Sequence, residues 1–246
     1  MSCVVDRKNM RTMSKALRTN IVHACLEMNR AGLNQGSSGN VSHRIVDGLL
    51  ITPSGMPYHN MKPADIVRMR FDGAHKVRQR PSSEWRMHRD ILQSRMEANA
   101  VVHTHSVHCA ALAVHERGIP AFHYMVAVAG GKDIRCAPYA RFGTQELSDH
   151  ALSALDGRRA CLLGHHGLVC IGSSLDAALG LAIEVETLAR MYLHALAIGE
   201  PPLLSERQMA EVISAFGQMS YGHAAGADSP CAGNDQGGRA DAIECN

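Results

Sequence analysis

Two short segments concentrate histidine in a way that can do chemistry. His103-Thr104-His105 closes the β-branched run Ala100-Val101-Val102, and Gly164-His165-His166-Gly167 interrupts an apolar stretch running from Ala160 to Ile171. Residues i and i+2 of a strand point to the same face, so the imidazoles of His103 and His105 can reach one ion. Nitrogen ligands sit about 2.1 Å from zinc, and a tetrahedral site then needs one or two further donors. The second histidine segment is the best source of the third. Its glycines permit a sharp turn that aims an imidazole inward. Adjacent residues on extended backbone point opposite ways, so one of His165 and His166 should bind, and the residues alone leave open which. An HxH pair is common on surfaces and weak by itself; the second cluster strengthens it.

Other segments offer a carboxylate and anion-binding groups. Glu84 follows Pro81-Ser82-Ser83 at a predicted helix N-terminus. Acidic residues are favoured there by the helix dipole alone, but a carboxylate beside a metal can also be a ligand or general base. Ser82 and Ser83 can cap the helix or present hydroxyl and N–H groups to phosphate. Gly36-Ser37-Ser38-Gly39-Asn40 and Thr52-Pro53-Ser54-Gly55 are similar small, donor-rich loops. Neither is followed by the Gly-Lys-Ser/Thr of a P-loop, and no dinucleotide fingerprint occurs. The five lysines lie outside apolar strands, which argues against Schiff-base catalysis. No GxSxG or HExxH is present.

The elements that must position these groups follow from apolar spacing. Leu17, Ile21, Cys25 and Met28 recur with helical period over residues 10–32. Residues 40–46 and 49–52 read as a hairpin turning at Asp47-Gly48, and 66–71 as a further strand. A helix runs from Pro81 to about Arg95, with Ser82 or Ser83 as its N-cap. Residues 98–105 are strand, 107–114 helix, 122–128 extended and 143–155 helix after the Ala137-Pro138-Tyr139 turn. Residues 160–163 and 168–171 form a broken apolar strand. Long helices follow over 174–197 and 205–219. Interleaved helices with an early hairpin predict an α/β fold on a mixed or antiparallel sheet. Residues 1–222 read as one domain, and the Gly-, Ala- and Asp-rich residues 223–246 as a disordered tail.

Composition narrows the function classes. The 246 residues are 46% hydrophobic and 20% charged, with a net charge of +2. The basic residues are scattered, which argues against nucleic acid or a membrane surface as partner. With no signal-peptide h-region or membrane-length apolar run, the expected location is the cytoplasm. There, the eight cysteines, which lack CxxC spacing, act mainly as small hydrophobes.

The motifs together resemble the class II aldolase/adducin family. They are Asn34-Gln35-Gly36-Ser37-Ser38-Gly39-Asn40-Val41-Ser42, Ile51-Thr52-Pro53-Ser54-Gly55-Met56-Pro57-Tyr58, Pro81-Ser82-Ser83-Glu84-Trp85, residues 98–105, His123-Tyr124-Met125, residues 136–144 and His165-His166-Gly167-Leu168. The resemblance covers about residues 10–221. It implies a central, mainly antiparallel sheet sandwiched between helical layers, and a homotetramer with active sites at subunit interfaces. It implies one zinc per chain on His103, His105 and His166, with Glu84 as a displaceable fourth ligand and then the acid/base. Asn40, Ser54, Gly55, Ser82 and Ser83 match phosphate-site positions. Tyr124 matches a proton donor reaching in from a neighbouring subunit, and Tyr221 a tyrosine of a C-terminal segment.

The implied reaction is reversible aldol cleavage of a ketose 1-phosphate, of the L-fuculose 1-phosphate type, to dihydroxyacetone phosphate and a small aldehyde such as L-lactaldehyde. Zinc would stabilise the negative charge that bond cleavage develops. The alternatives are a pentulose-5-phosphate 4-epimerase, another sugar-phosphate lyase such as a 5-deoxyribulose 1-phosphate aldolase, and a non-catalytic adducin-like binding module. The last predicts an eroded metal site, whereas this chain keeps the histidines and Glu84.

Overall fold

The computed structural model describes residues 7–76 and 80–218 (side chains from 14 on), and the expected tail and Tyr221 lie outside them. Helix α1 (Arg7–Arg30) precedes a hairpin of β1 (Asn40–Ile45) and β2 (Gly48–Ile51), and β3 (Val67–Arg70) follows. Then come α2 (Trp85–Ser94), β4 (Ala100–Thr104), α3 (Val107–Ala113), a 3-10 helix over Tyr124–Ala129 and β5 (Arg135–Ala137). The chain continues through α4 (Gln145–Ala154), β6 (Ala160–Leu163), β7 (Gly167–Gly172), α5 (Leu175–Leu196) and α6 (Glu206–Gln218). The strands form one seven-stranded sheet in the order β3-β2-β1-β4-β7-β6-β5. Among the described residues its only parallel pair is β5 with β6, so the sheet is mainly antiparallel as expected.

Both faces of the sheet are covered, and the strands alternate between two cores. Ala100 and Val102 of β4, Leu162 of β6, and Leu168 and Cys170 of β7 pack with α1, α3, α5 and α6. Val101, Cys161, Leu163, Val169 and Ile171 pack on the other side with α2 and α4. This period-2 division explains why these strands read as continuous apolar runs rather than as half-polar ones. Cys25, Cys109, Cys161 and Cys170 are buried free thiols, the expected small-hydrophobe role.

Four local expectations are corrected. The hairpin turns on Val46 and Asp47, not Asp47-Gly48, because Ile45 already pairs with Gly48. A Cβ on Gly48 would stand 2.0 Å from the Met69 carbonyl oxygen, so its glycine serves the β2–β3 approach rather than the turn. Residues 160–171 are not one broken strand but the antiparallel hairpin β6–β7, with Leu163 opposite Gly167. Residues 124–129 are 3-10 helix rather than extended; His123, the preceding cap, accepts the Met125 N–H on its side chain. The N-cap of α2 is Glu84, one residue beyond Ser83, and its own N–H donates to Ser82 Oγ at 3.3 Å.

The β6–β7 turn sets up the site. Its left-handed residue is His165 (φ 52°), while its two glycines serve close approach instead. A Cβ on Gly167 would lie 2.2 Å from the Thr104 carbonyl oxygen of β4. Gly167→Ala is therefore expected to destabilise the fold by about 1–3 kcal/mol, as overpacking does. Urea unfolding of the metal-free protein reads this directly; a loss below about 0.5 kcal/mol, the range of neutral surface changes, would contradict it.

Candidate active site

Three separate elements bring four side chains to one point. His103 lies at the end of β4 with the parity of Val101, so it faces the α2 side of the sheet, where Glu84 opens that helix. His105 follows two residues on, its backbone N–H held by Asn34 Oδ1 at 2.7 Å. His166 enters from the β6–β7 turn. One donor atom from each of Glu84, His103, His105 and His166 lies within 4.8 Å of all the others. The imidazole centroids are 4.7–4.9 Å apart with interplanar angles of 68–72°, close to a three-fold propeller. His165 turns away and sets its ring edge-on to Tyr139 at 5.9 Å.

The chemistry of these donors fits a cation. His103 Nδ1–H donates to the Leu168 carbonyl at 2.9 Å, which leaves Nε2 with a lone pair pointing into the cluster. That Nε2 lies 3.0 Å from His105 Nε2 and 3.2 Å from Glu84 Oε2. Glu84 Oε1, 3.3 Å from His166 Nε2, is buried without a hydrogen-bond donor. Lone pairs facing one another at these separations repel unless positive charge sits among them. A divalent metal supplies that charge, and two to three imidazoles with a carboxylate suit zinc, among others.

The ionisation of the cluster agrees. Burial would push the Glu84 carboxyl up, but His103, His166 and the Asn40 amide hold it well below the usual carboxylate range. Burial, and then His103, lower both His105 and His166 to about 4. Both are therefore neutral near pH 7, the state in which imidazole ligates a metal. Burial would also lower His103, but Glu84 beside it raises it instead. The centre attracts positive charge.

A cavity of about 380 Å³ opens over these residues. Asn40, Ser54, Gly55, Ser82 and Ser83 all line it, together with Glu84, His105 and His166. A bridge between Pro53 and Pro81 sets the two serine loops side by side. The Ser54 N–H is committed to the Arg80 carbonyl and the Ser82 N–H to that of Thr52, so these residues offer hydroxyls to an anion. Tyr139, Ala140 and Phe142 form another part of the wall. A larger groove of about 500 Å³ runs along α5 near Glu97 and Asp176 but contains none of the four converging residues.

Tyr124 is placed differently. It is half exposed, against His123 and Phe216, and does not line this chain's cavity. The residues that spacing did not single out are His88, Ser42 and Asn34, all buried or holding the site from behind. The one signal for His88 was its place four residues after Glu84 on a helix, the same face.

The family described as Class II Aldolase and Adducin N-terminal domain matches residues 19–193. The chain belongs to the class II aldolase and adducin family. It is 53% identical over 207 residues to an L-fuculose phosphate aldolase of Escherichia coli, covering 84% of this chain and 95% of that one. It is 50% identical over 215 residues to a 5-methylthioribulose-1-phosphate/5-deoxyribulose-1-phosphate aldolase of Rhodospirillum rubrum, covering 87% and 96%. A solved L-fuculose 1-phosphate aldolase superimposes with a TM-score of 0.80 at 36% identity, over 82% of this chain and 96% of that one. The family's mixed sheet between helices is therefore the fold of this chain. Among the described residues, no helix is long and apolar enough to cross a membrane.

Proposed function

We propose that this chain is a zinc-dependent aldehyde-lyase that reversibly cleaves L-fuculose 1-phosphate, or a ketose 1-phosphate of that type, to dihydroxyacetone phosphate and L-lactaldehyde. The observation that carries it is one cavity in which three imidazoles, a carboxylate and two hydroxyl-bearing loops converge. The chain's similarity to aldolases of two related sugar phosphates supports the same reading. His103, His105 and His166 hold the metal, with Glu84 as a fourth, displaceable donor. Zinc, when bound, supplies Lewis-acid stabilisation of negative charge on the substrate oxygens.

The remaining work belongs to the protein's own groups. Ser54, Gly55, Ser82 and Ser83 hold the phosphate through hydroxyl and backbone donors. Asn40 contributes its second amide hydrogen, since the first is on Glu84. During cleavage Tyr124 of a neighbouring copy accepts the C4 hydroxyl proton as the C3–C4 bond breaks and Glu84 delivers one to C3, so that one proton in all passes from O4 to C3. Synthesis reverses both transfers, Glu84 taking the proton from C3 and Tyr124 returning one to the aldehyde oxygen. Tyr124 of a neighbouring copy serves the aldehyde oxygen, which explains its exposure here. The active assembly is then a homotetramer with sites at subunit contacts, working in the cytoplasm. Tyr221, which the resemblance adds to the catalytic residues, lies outside the described residues.

The test is condensation. Purified protein with dihydroxyacetone phosphate and L-lactaldehyde is expected to form L-fuculose 1-phosphate, and acetaldehyde a poorer product. Preference for acetaldehyde would assign the 5-deoxyribulose 1-phosphate reaction, the second reading, which rests on the Rhodospirillum relative. Inversion at C4 of a pentulose 5-phosphate, without condensation of either aldehyde, would make the protein an epimerase.

A further inference from the structure

We infer that His88 is a positioning residue for the proton-transfer step, acting through Asn40 to fix which Glu84 oxygen handles the proton. This rests on the aldolase reading of Glu84.

Four side chains from two elements form a closed buried row. Helix α2 and its cap contribute Glu84 and His88, at i and i+4 on one helical face. Strand β1 contributes Asn40 and Ser42, at i and i+2 on one face of the sheet. Ser42 and His88 are wholly buried, and Asn40 and Glu84 are about 5% exposed. Ser42 Oγ is 2.7 Å from His88 Nδ1, His88 Nε2 meets Asn40 Oδ1, and Asn40 Nδ2 donates to Glu84 Oε2 at 2.9 Å.

The direction of every bond in this row is dictated from one end. An ionised carboxylate only accepts, so the Asn40 amide must turn its nitrogen to Glu84 and its oxygen to His88. An amide oxygen also only accepts, so His88 must carry its hydrogen on Nε2. Nδ1 is then an acceptor, and Ser42 must donate to it. Each partner thereby has one allowed role, and no member can reverse without creating a buried acceptor–acceptor contact.

The row makes the two oxygens of Glu84 unequal. Oε2 holds the Asn40 bond and lies near His103, while Oε1 has no hydrogen-bond donor. Oε1, which faces His166 Nε2, is accordingly the oxygen that can take the substrate proton once Glu84 is displaced from the metal, and the His88–Asn40 bond keeps it so. Without a donor at position 88, the Asn40 amide is free to rotate, and the carboxylate loses its fixed orientation.

The experiment uses the zinc-loaded protein with dihydroxyacetone phosphate alone in deuterated water, following exchange of the C3 hydrogen, with zinc content and KM measured in parallel. His88→Leu is expected to exchange roughly 10–100-fold more slowly, the usual cost of losing an outer partner. Its zinc content should stay near wild type and its KM within a few-fold. His88→Gln, whose amide can still donate to Asn40, should recover part of the rate. Exchange at the wild-type rate in a folded, zinc-loaded His88→Leu protein would overturn the inference. Should His88→Leu fail to fold, Ser42→Ala decides: it removes the donor to Nδ1, and an unchanged exchange rate would overturn the inference equally. No exchange by the wild-type protein itself would instead defeat the aldolase reading.

Discussion

Replacing Glu84 with glutamine is expected to lower kcat for aldol cleavage by on the order of 10²–10⁴-fold, the range that a positioned acid/base contributes. Glutamine matches glutamate in shape, so the change removes the proposed proton carrier and one anionic donor to the metal while keeping the packing. The Asn40 amide can still donate to the side-chain oxygen, and the α2 N-cap keeps its backbone geometry. The three histidines remain as metal donors, so zinc should bind more weakly but still load at excess metal. Exchange of the dihydroxyacetone phosphate hydrogen should fall in parallel with kcat, because both need the same proton transfer. Retention of more than roughly a tenth of wild-type kcat would be too small a loss for an acid/base and would remove Glu84 from that role.

Much of this site was legible because local periodicity carried it. The two-residue repeat of β4 put His103 and His105 on one side, and the structure brings them within 3.0 Å. The serine loops read as donor-rich turns and line one cavity. What could not be read required knowledge of partners distant in sequence. Gly48 looked like a turn residue, but its need for a bare Cα comes from Met69 on the adjacent strand. The glycine-flanked break at residues 164–167 was legible, but not that its two halves pair with each other, because both are buried on both faces and read as one apolar strand. Residues 124–129 are apolar enough to pass for a strand, whereas the cap at His123 and the left-handed Gly130 that ends the turn mark a helix. His88 carried only its helical spacing from Glu84, because its partners Ser42 and Asn40 lie more than forty residues away.

The choice between His165 and His166 yields the second large effect. His166→Ala is expected to weaken zinc binding by more than the roughly 10–100-fold that follows loss of an outer hydrogen-bond partner, with catalysis falling alongside. The ring of His166 completes the three-fold arrangement, and its Nε2 faces Glu84 Oε1 at 3.3 Å. It is also the only donor of the four that comes from the β6–β7 turn, so its loss opens the centre on one side. His165→Ala keeps all four donors. Its ring rests on Tyr139 at the cavity edge, and alanine must still adopt the left-handed backbone there, so the cost falls on the turn rather than the metal. Metal analysis after dialysis against a weak chelator separates the two variants: His165→Ala should retain about one zinc per chain, as a site with all its ligands does. The reverse pattern would mean that the turn rearranges when metal binds and presents His165 instead, and the ligand assignment would fall.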